Sequence, residues 1–379
     1  MSEKEYRSYR QQIKILRSRG MVIGKGSQGS RAMRILEREN YYNVINGYKD
    51  FFLDSRATPT TDEVYKDGTT FDEVYALYNF DRELRNIYLK YLLKIENTFK
   101  TVIAHEFSSV YGHDNYLKLS NFDSNASADR KHLNNIAKKY KLDINNDINE
   151  VKRRSAEENT EAVIKLIGDI NQELARQMGK HHDVVTHYMT EHGYIPLWVL
   201  VNVLTFGKIT NFYLHMKNAD RKKVAMFFRV GVEELHKYMN MLSIARNKCA
   251  HDERFFDMKF RKSLHTKGIK NFKSLGLSPK ADGSYVSGTN DVYAIAIIFA
   301  VLLSKAELKE FISSRTYGDL IIDAKLKDED EILDLADYSN RLLIITENYT
   351  DYNNLDKEIV IERDKAYKYI LSGMSWDVL

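Results

Sequence analysis

The chain has 379 residues, 43% of them hydrophobic and 29% charged, the proportions of a folded protein rather than a disordered one. Its 57 Lys and Arg stand against 53 Asp and Glu, a net charge of +4 that is too near balance to mark the whole surface for nucleic acid. Any surface for nucleic acid therefore has to be local. One cysteine, Cys249, excludes an internal disulfide framework and a cysteine-based metal site, and it suits a cytoplasmic protein. Only 3 prolines favour helix throughout, and 25 tyrosines supply rings able to pack and to stack.

The first residues lack the apolar stretch of a signal peptide. Residues 4–19 predict a helix with Tyr9, Ile13 and Leu16 on one face, stopped by Gly20. The run Gly24-Lys25-Gly26-Ser27-Gln28-Gly29-Ser30 has neither Walker spacing nor a preceding strand, so it predicts a turn into a second helix over 31–39. After a polar connection at 57–70, Thr70-Phe71-Asp72-Glu73 is a capping box. It opens the longest helical pattern, 71–111, whose apolar stripe runs through Val74, Leu77, Leu84, Tyr88, Leu92, Ile95, Phe99 and Val102. Asp81 falls on that stripe, where a carboxylate needs a buried partner; Arg85, one turn on, is the expected one. Glu96 and Lys100 pair by the same spacing.

Residues 112–154 form a polar insertion with a short helix over 129–140, and a further helix is expected over 156–178. His181, His182, His187 and His192 follow. Four histidines raise zinc, but no cysteine and only loosely spaced acids stand near, so a solvated loop is the expectation. Pro196 starts the next helical segment, with Trp198, Leu200, Val203, Ile209 and Phe212 as core. Arg221-Lys222-Lys223 opens a shorter helix. Residues 291–314 predict an apolar helix, whose longest apolar run, Val292 to Leu303, is too short to span a bilayer that needs about 20 residues. Two helices with mixed faces are expected over 329–347 and 356–371.

The densest chemistry lies at 243–256, Ser-Ile-Ala-Arg-Asn-Lys-Cys-Ala-His-Asp-Glu-Arg-Phe-Phe, at the end of an apolar-striped helix. If the helix persists, Asn247, His251 and Arg254 stand at i, i+4 and i+7, three groups that bond phosphate on one face. Arg246 continues the apolar stripe of Val232, Leu235, Met239 and Leu242, so it must reach a partner. Metal-free work on a phosphodiester fits: His251 as general acid or base, Arg246 on the charge that builds at phosphorus, Asn247 orienting them. A 2'-hydroxyl nucleophile makes RNA the substrate. The bland alternative is a helix end whose cations complement the last carbonyls. Cys249 inside the motif is read as a small packing residue rather than a nucleophile. Beyond the motif, Lys259, Arg261, Lys262, His265, Lys267, Lys270 and Lys273 interleave with Phe260 and Phe272, a pattern suited to a single strand.

The motif Arg246-Asn247-Lys248-Cys249-Ala250-His251, followed by Arg254, resembles the HEPN superfamily signature and, in this form, the Abi family of bacterial abortive-infection proteins. Other motifs agree in order: the Gln12 to Gly20 stretch, Asn40-Tyr41-Tyr42, Gly47-Tyr48, Tyr78-Asn79-Phe80-Asp81-Arg82-Glu83-Leu84-Arg85, Ile95-Glu96, and Pro196-Leu197-Trp198 leading to Phe206-Gly207. The similarity covers roughly residues 10–120 and 194–305. It implies a helical protein, a homodimer that brings two motifs together, metal-independent RNA cleavage in phage defence and, in some members, a bound small non-coding RNA. One departure is Leu242, where some HEPN nucleases carry a Glu a turn before the Arg.

The expected fold is all-α: a HEPN-like helical bundle over 71–315 containing the polar insertion, with accessory helices over 1–70 and 316–379. The expected site is Arg246, Asn247 and His251, with RNA also touching Lys248, Arg254, Lys259, Arg261, Lys262, Lys267 and Lys270, and with neither metal nor cofactor. RNA and a second copy are the expected partners, in the cytoplasm and away from membranes. The competing expectation is an RNA-binding protein that holds a structured or guide-like RNA without cutting it.

Overall fold

The computed structural model describes residues 5–58, 61–127, 129–266, 269, 272, 277, 279–281, 284–285 and 287–313. The helices expected at 329–347 and 356–371, and the cations Lys267, Lys270 and Lys273, lie outside them. Among the described residues the fold is all-α apart from one small antiparallel pair, β1 (Leu53–Ser55) with β2 (Val64–Tyr65). Among the described residues no helix is long and apolar enough to cross a membrane. They divide into two compact units, one of residues up to 90, 247–263 and those from 272 onward, the other of residues 91–246, 264–266 and 269.

In the first unit, α1 (Tyr9–Ser18) packs on α2 (Ser27–Arg38) through Ile13, Leu16, Ala32 and Leu36. A reciprocal Ser8/Gln11 cap starts α1, and Gly20 follows it at φ +95°, a left-handed turn that a side chain would strain. The capping box opens α3 (Phe71–Tyr111) as expected: the Thr70 amide donates to Glu73 Oε2 at 2.8 Å and the Glu73 amide to Thr70 Oγ1 at 3.2 Å. All 41 residues of α3 form one helix; residues 71–90 belong to the first unit and the remainder to the second. The apolar run folds as α11 (Val292–Leu302), capped by Asp291 and buried from Val292 through Phe299. It is shorter than expected: Ser304 and Glu307 cap a separate helix, α12 (Lys305–Ser313). Tyr88 meets Phe255, Phe299 and Phe311 with ring centroids 5.2–5.5 Å apart, a cluster that ties α3, α11 and α12 together.

The second unit is built on the later turns of α3. Phe99 and Phe107 are fully buried against Phe206, Phe212, Tyr213, Phe228 and Phe122. Burying each such ring is worth roughly 1.5–3 kcal/mol. The polar insertion carries α4 (Arg130–Tyr140), which packs on α5 (Ile148–Gly179) through Leu133, Ile136, Ala137 and Val151. The histidine-rich stretch is not a loop. Asp183–His192 forms α6, because Val185 is buried and Gly193 supplies a left-handed stop at φ +73°. From Pro196 the chain makes α7 (Leu197–Val203), breaks, and continues as α8 (Phe206–His215), α9 (Asn218–Phe227) and α10 (Val232–Ala250).

Half-buried His215, at the end of α8, gives a stability prediction. Burial pushes its pKa below the usual imidazole value, Arg221 adds to the shift and Asp123 opposes it. A depressed imidazole contributes stability in full above the unfolded-state value of about 6.5 and loses it as pH falls toward the folded-state value. The urea midpoint is therefore expected to be lower at pH 5.5 than at pH 7.5, and His215→Gln to narrow that difference. An equal pH response in the variant would remove His215 as a source.

Candidate functional site

The apolar stripe of α10 buries Leu235, Met239, Leu242, Ala245 and Cys249, which fixes the facing of the motif's side chains. Arg246 sits at the edge of this stripe and is partly buried. Its Nε donates to Glu96 Oε2 at 3.1 Å, while Glu96 Oε1 takes Lys100 Nζ at 2.9 Å. Glu96 is only 4% exposed, so one buried carboxylate on α3 serves two cations. Among the described residues the terminal nitrogens of Arg246 meet no protein acceptor. The guanidinium is thus gripped at Nε and leaves its outward fork for a ligand.

Asn247 and His251 hold the i, i+4 relation, since the His251 amide still donates to the Asn247 carbonyl at 3.0 Å. Both are exposed. Neither side chain has a hydrogen-bond partner among the described residues. The expected continuation of the stripe to Arg254 does not occur. The α-helix ends at Ala250, and Asp252 turns the backbone left-handed at φ +57°. Arg254 leaves the helix and docks on protein: Nη1 donates to the Gly47 carbonyl at 2.9 Å, Nε donates to Asp257 Oδ1 at 2.9 Å, and the guanidinium lies over the rings of Phe51 and Phe256.

The chain after His251 is held from α3. Asp81, fully buried, accepts from the Phe255 amide at 2.9 Å, the Phe256 amide at 2.8 Å, the Tyr48 hydroxyl at 2.6 Å and Arg85 Nη1 at 2.7 Å. Arg85, at 2% exposure, also bonds Asp252. Burial raises the Asp81 pKa, and Arg85, Tyr48 and the two amides oppose that rise. Burial also pushes the Tyr48 hydroxyl upward, so it donates and stays neutral. The expected Asp81–Arg85 pair is therefore present, and it reaches further than the helix spacing revealed. Glu96 was expected to pair with Lys100 and does; its hold on Arg246 was not expected. The available signal was an acid beside Ile95 and near Phe99 on a buried stripe, where a single cation seldom suffices.

Cys249 is buried and its thiol is pushed up to about 12, mainly by burial, which keeps it protonated and unreactive. Lys248 pairs with Glu253 at 3.0 Å and Lys259 with Asp291 at 3.3 Å. Arg261 and Lys262 are exposed. Phe260 and Phe272, expected to offer stacking faces, are buried instead. The alternation of base and ring there reflects packing of the rings, so stacking on a single strand has to come from elsewhere.

A family model described as Abi-like protein matches residues 34–257, more than half of the chain. The chain belongs to the Abi-like family. No curated protein and no solved structure matches it. The stretch shared with the Abi-like family takes in Asp81, Arg85, Glu96, Arg246, Asn247, His251 and Arg254, and it runs through the polar insertion. It leaves α1 and α11 outside.

Proposed function

We propose that this Abi-like chain is an RNA endonuclease of an abortive-infection system, with a HEPN-type site at the end of α10. The observation that carries the proposal is a division of labour within six residues. Arg246 is fixed at Nε by buried Glu96 with its fork unengaged, and His251 follows with an exposed, unengaged imidazole. A phosphate bound by the fork of Arg246 gains bidentate hydrogen bonds to its non-bridging oxygens, and these strengthen as charge builds at phosphorus. His251 takes the proton of the ribose 2'-hydroxyl. The 2'-oxygen bonds to phosphorus, the bond to the 5'-oxygen breaks, and that oxygen leaves as a hydroxyl once protonated. The products are a 2',3'-cyclic phosphate and a 5'-hydroxyl end. Asn247, one turn before His251, donates to a phosphate oxygen or orients the ring. A second copy in a homodimer brings a second motif, and its imidazole is suited to protonating the leaving oxygen.

Purified protein is expected to cut single-stranded RNA in EDTA and to leave cyclic phosphate ends. A strict requirement for added metal ion would rule this mechanism out, and an intact, discrete RNA copurifying with the protein would favour a binder that does not cut.

Glu96 is proposed as a positioning residue. Glu96→Gln keeps an acceptor for Arg246 Nε, whereas Glu96→Ala frees both Arg246 and Lys100. Cleavage by the Ala variant is expected to fall by up to about 10²-fold, the scale of a misplaced catalytic group, with the Gln variant in between. The loss should fall on the rate at saturating RNA. An unchanged rate in a folded Ala variant would show that Glu96 is only structural.

A further inference from the structure

Residues 5–40 carry nine Lys and Arg against three Glu. That surplus of six exceeds the net charge of the entire chain, +4, so the positive field is concentrated on the α1–α2 hairpin. The cations form stripes at helical spacing: Arg10, Lys14 and Arg17 at i, i+4 and i+7 on α1, and Arg31, Arg34 and Arg38 at i, i+3 and i+7 on α2. Arg17 is spent on the Ile23 and Gly24 carbonyls and Arg31 on Asp72. Arg10, Lys14, Lys25, Arg34 and Arg38 are exposed, and among the described residues none has an acidic partner. Cations left unpaired side by side repel one another, and a polyanion relieves that repulsion.

One end of the hairpin opens into a cavity of about 600 Å³, within the span of about 300–1,000 Å³ usual for ligand pockets. Tyr6, Arg7, Tyr9 and Gln12 line it from the α1 side, Glu37, Arg38 and Tyr41 from the α2 side. Tyr6 is 88% exposed, so its ring is already in solvent and available for stacking. Gln12 Oε1 is buried and accepts no hydrogen bond, while its amide donates to the Arg7 carbonyl at 3.2 Å. An acceptor in that position calls for an N–H group. Glu37 offers a second acceptor from the α2 side, unhelpful to a phosphate but suited to an exocyclic amine.

We propose that this groove holds a single-stranded segment of RNA, its phosphates on Arg38 and the unpaired cations of the flanking stripes and one splayed base against the tyrosine rings. The proposal rests on RNA being the ligand of this protein and not on its being cut. It supplies the stacking surface that Phe260 and Phe272 do not, at a place other than the α10 motif.

The test is fluorescence anisotropy of a labelled single-stranded RNA with the full chain carrying His251→Ala, measured from low to high salt. Adding Arg10→Ala, Arg34→Ala and Arg38→Ala together is expected to weaken binding by more than about tenfold near 0.1 M salt. The slope of log affinity against log salt should fall by about 2, at about 0.7 per lost phosphate contact. Tyr9→Ala is expected to cost about 5- to 150-fold, the worth of one stacked base. Lys at the same three positions should keep most of the affinity, a result that a folding defect does not give. If the parent binds RNA and the triple Ala variant binds equally well, the groove is wrong and the nuclease reading stands. If the parent binds no RNA, both fall. Binding of anionic lipid vesicles in place of RNA would also overturn the groove.

Discussion

Replacing His251 by alanine is expected to slow RNA cleavage by about 10²- to 10⁴-fold, the usual worth of a general acid or base, while leaving the fold intact. Its imidazole is exposed and makes no hydrogen bond among the described residues. What His251 gives the structure is its backbone amide, bonded to the Asn247 carbonyl at 3.0 Å, and alanine keeps that bond. The change in stability should accordingly stay within about 0.5 kcal/mol, as for surface substitutions elsewhere. RNA affinity should hardly move, because Arg246 and the remote cations remain. Single-turnover cleavage and urea unfolding of the same preparation separate these effects. A folded variant that cuts at the parent rate would falsify the assignment of His251. Arg246→Lys is the companion experiment. It preserves the charge but loses the fork and the Nε contact with Glu96, so its rate should fall as well, with a smaller effect on binding.

Local signals made most of the architecture legible in the sequence. The Thr70/Glu73 box, the stripe of α3 and the Asp81–Arg85 spacing each involve residues within a turn or two of one another, and each is present as expected. The departures have a common cause in contacts far apart along the chain. Glu96 meets Arg246 across 150 positions, and no helical period connects them. The end of α10 depends on Asp81, which binds the Phe255 and Phe256 amides, so a stripe drawn through Arg254 ran one turn too far. Phe260 and Phe272 read as exposed rings because basic residues flank them in the sequence, yet both rings pack inward, while Lys259, Arg261 and Lys262 face out. The α6 helix was hidden by histidines that provide no apolar stripe beyond Val185.

Asp81→Asn is expected to destabilise the first unit by about 3–5 kcal/mol, the cost of breaking a buried ion pair from one side. The carboxylate accepts four hydrogen bonds, from two backbone amides, a tyrosine hydroxyl and a guanidinium. An asparagine amide can satisfy some of them through its oxygen, but its NH2 then points at groups that are themselves donors. Arg85, almost wholly buried, keeps Asp252 as its only carboxylate among the described residues, and the side chain of Asp252 is 46% exposed. A loss of this size is a large share of the roughly 5–15 kcal/mol that holds a typical domain folded. The effect should also reach the site. Asp252 adjoins His251, and the amides that Asp81 holds anchor the segment immediately beyond it, so cleavage at a temperature where the variant is still folded should be slower than in the parent. Replacing both partners, Asp81→Leu with Arg85→Met, removes the stranded charge and should recover part of the stability without recovering the rate, because the Phe255 and Phe256 amides stay unbonded. A urea-unfolding free energy that changes by less than about 1 kcal/mol on Asp81→Asn would mean that the end of the motif helix is held by something other than this carboxylate.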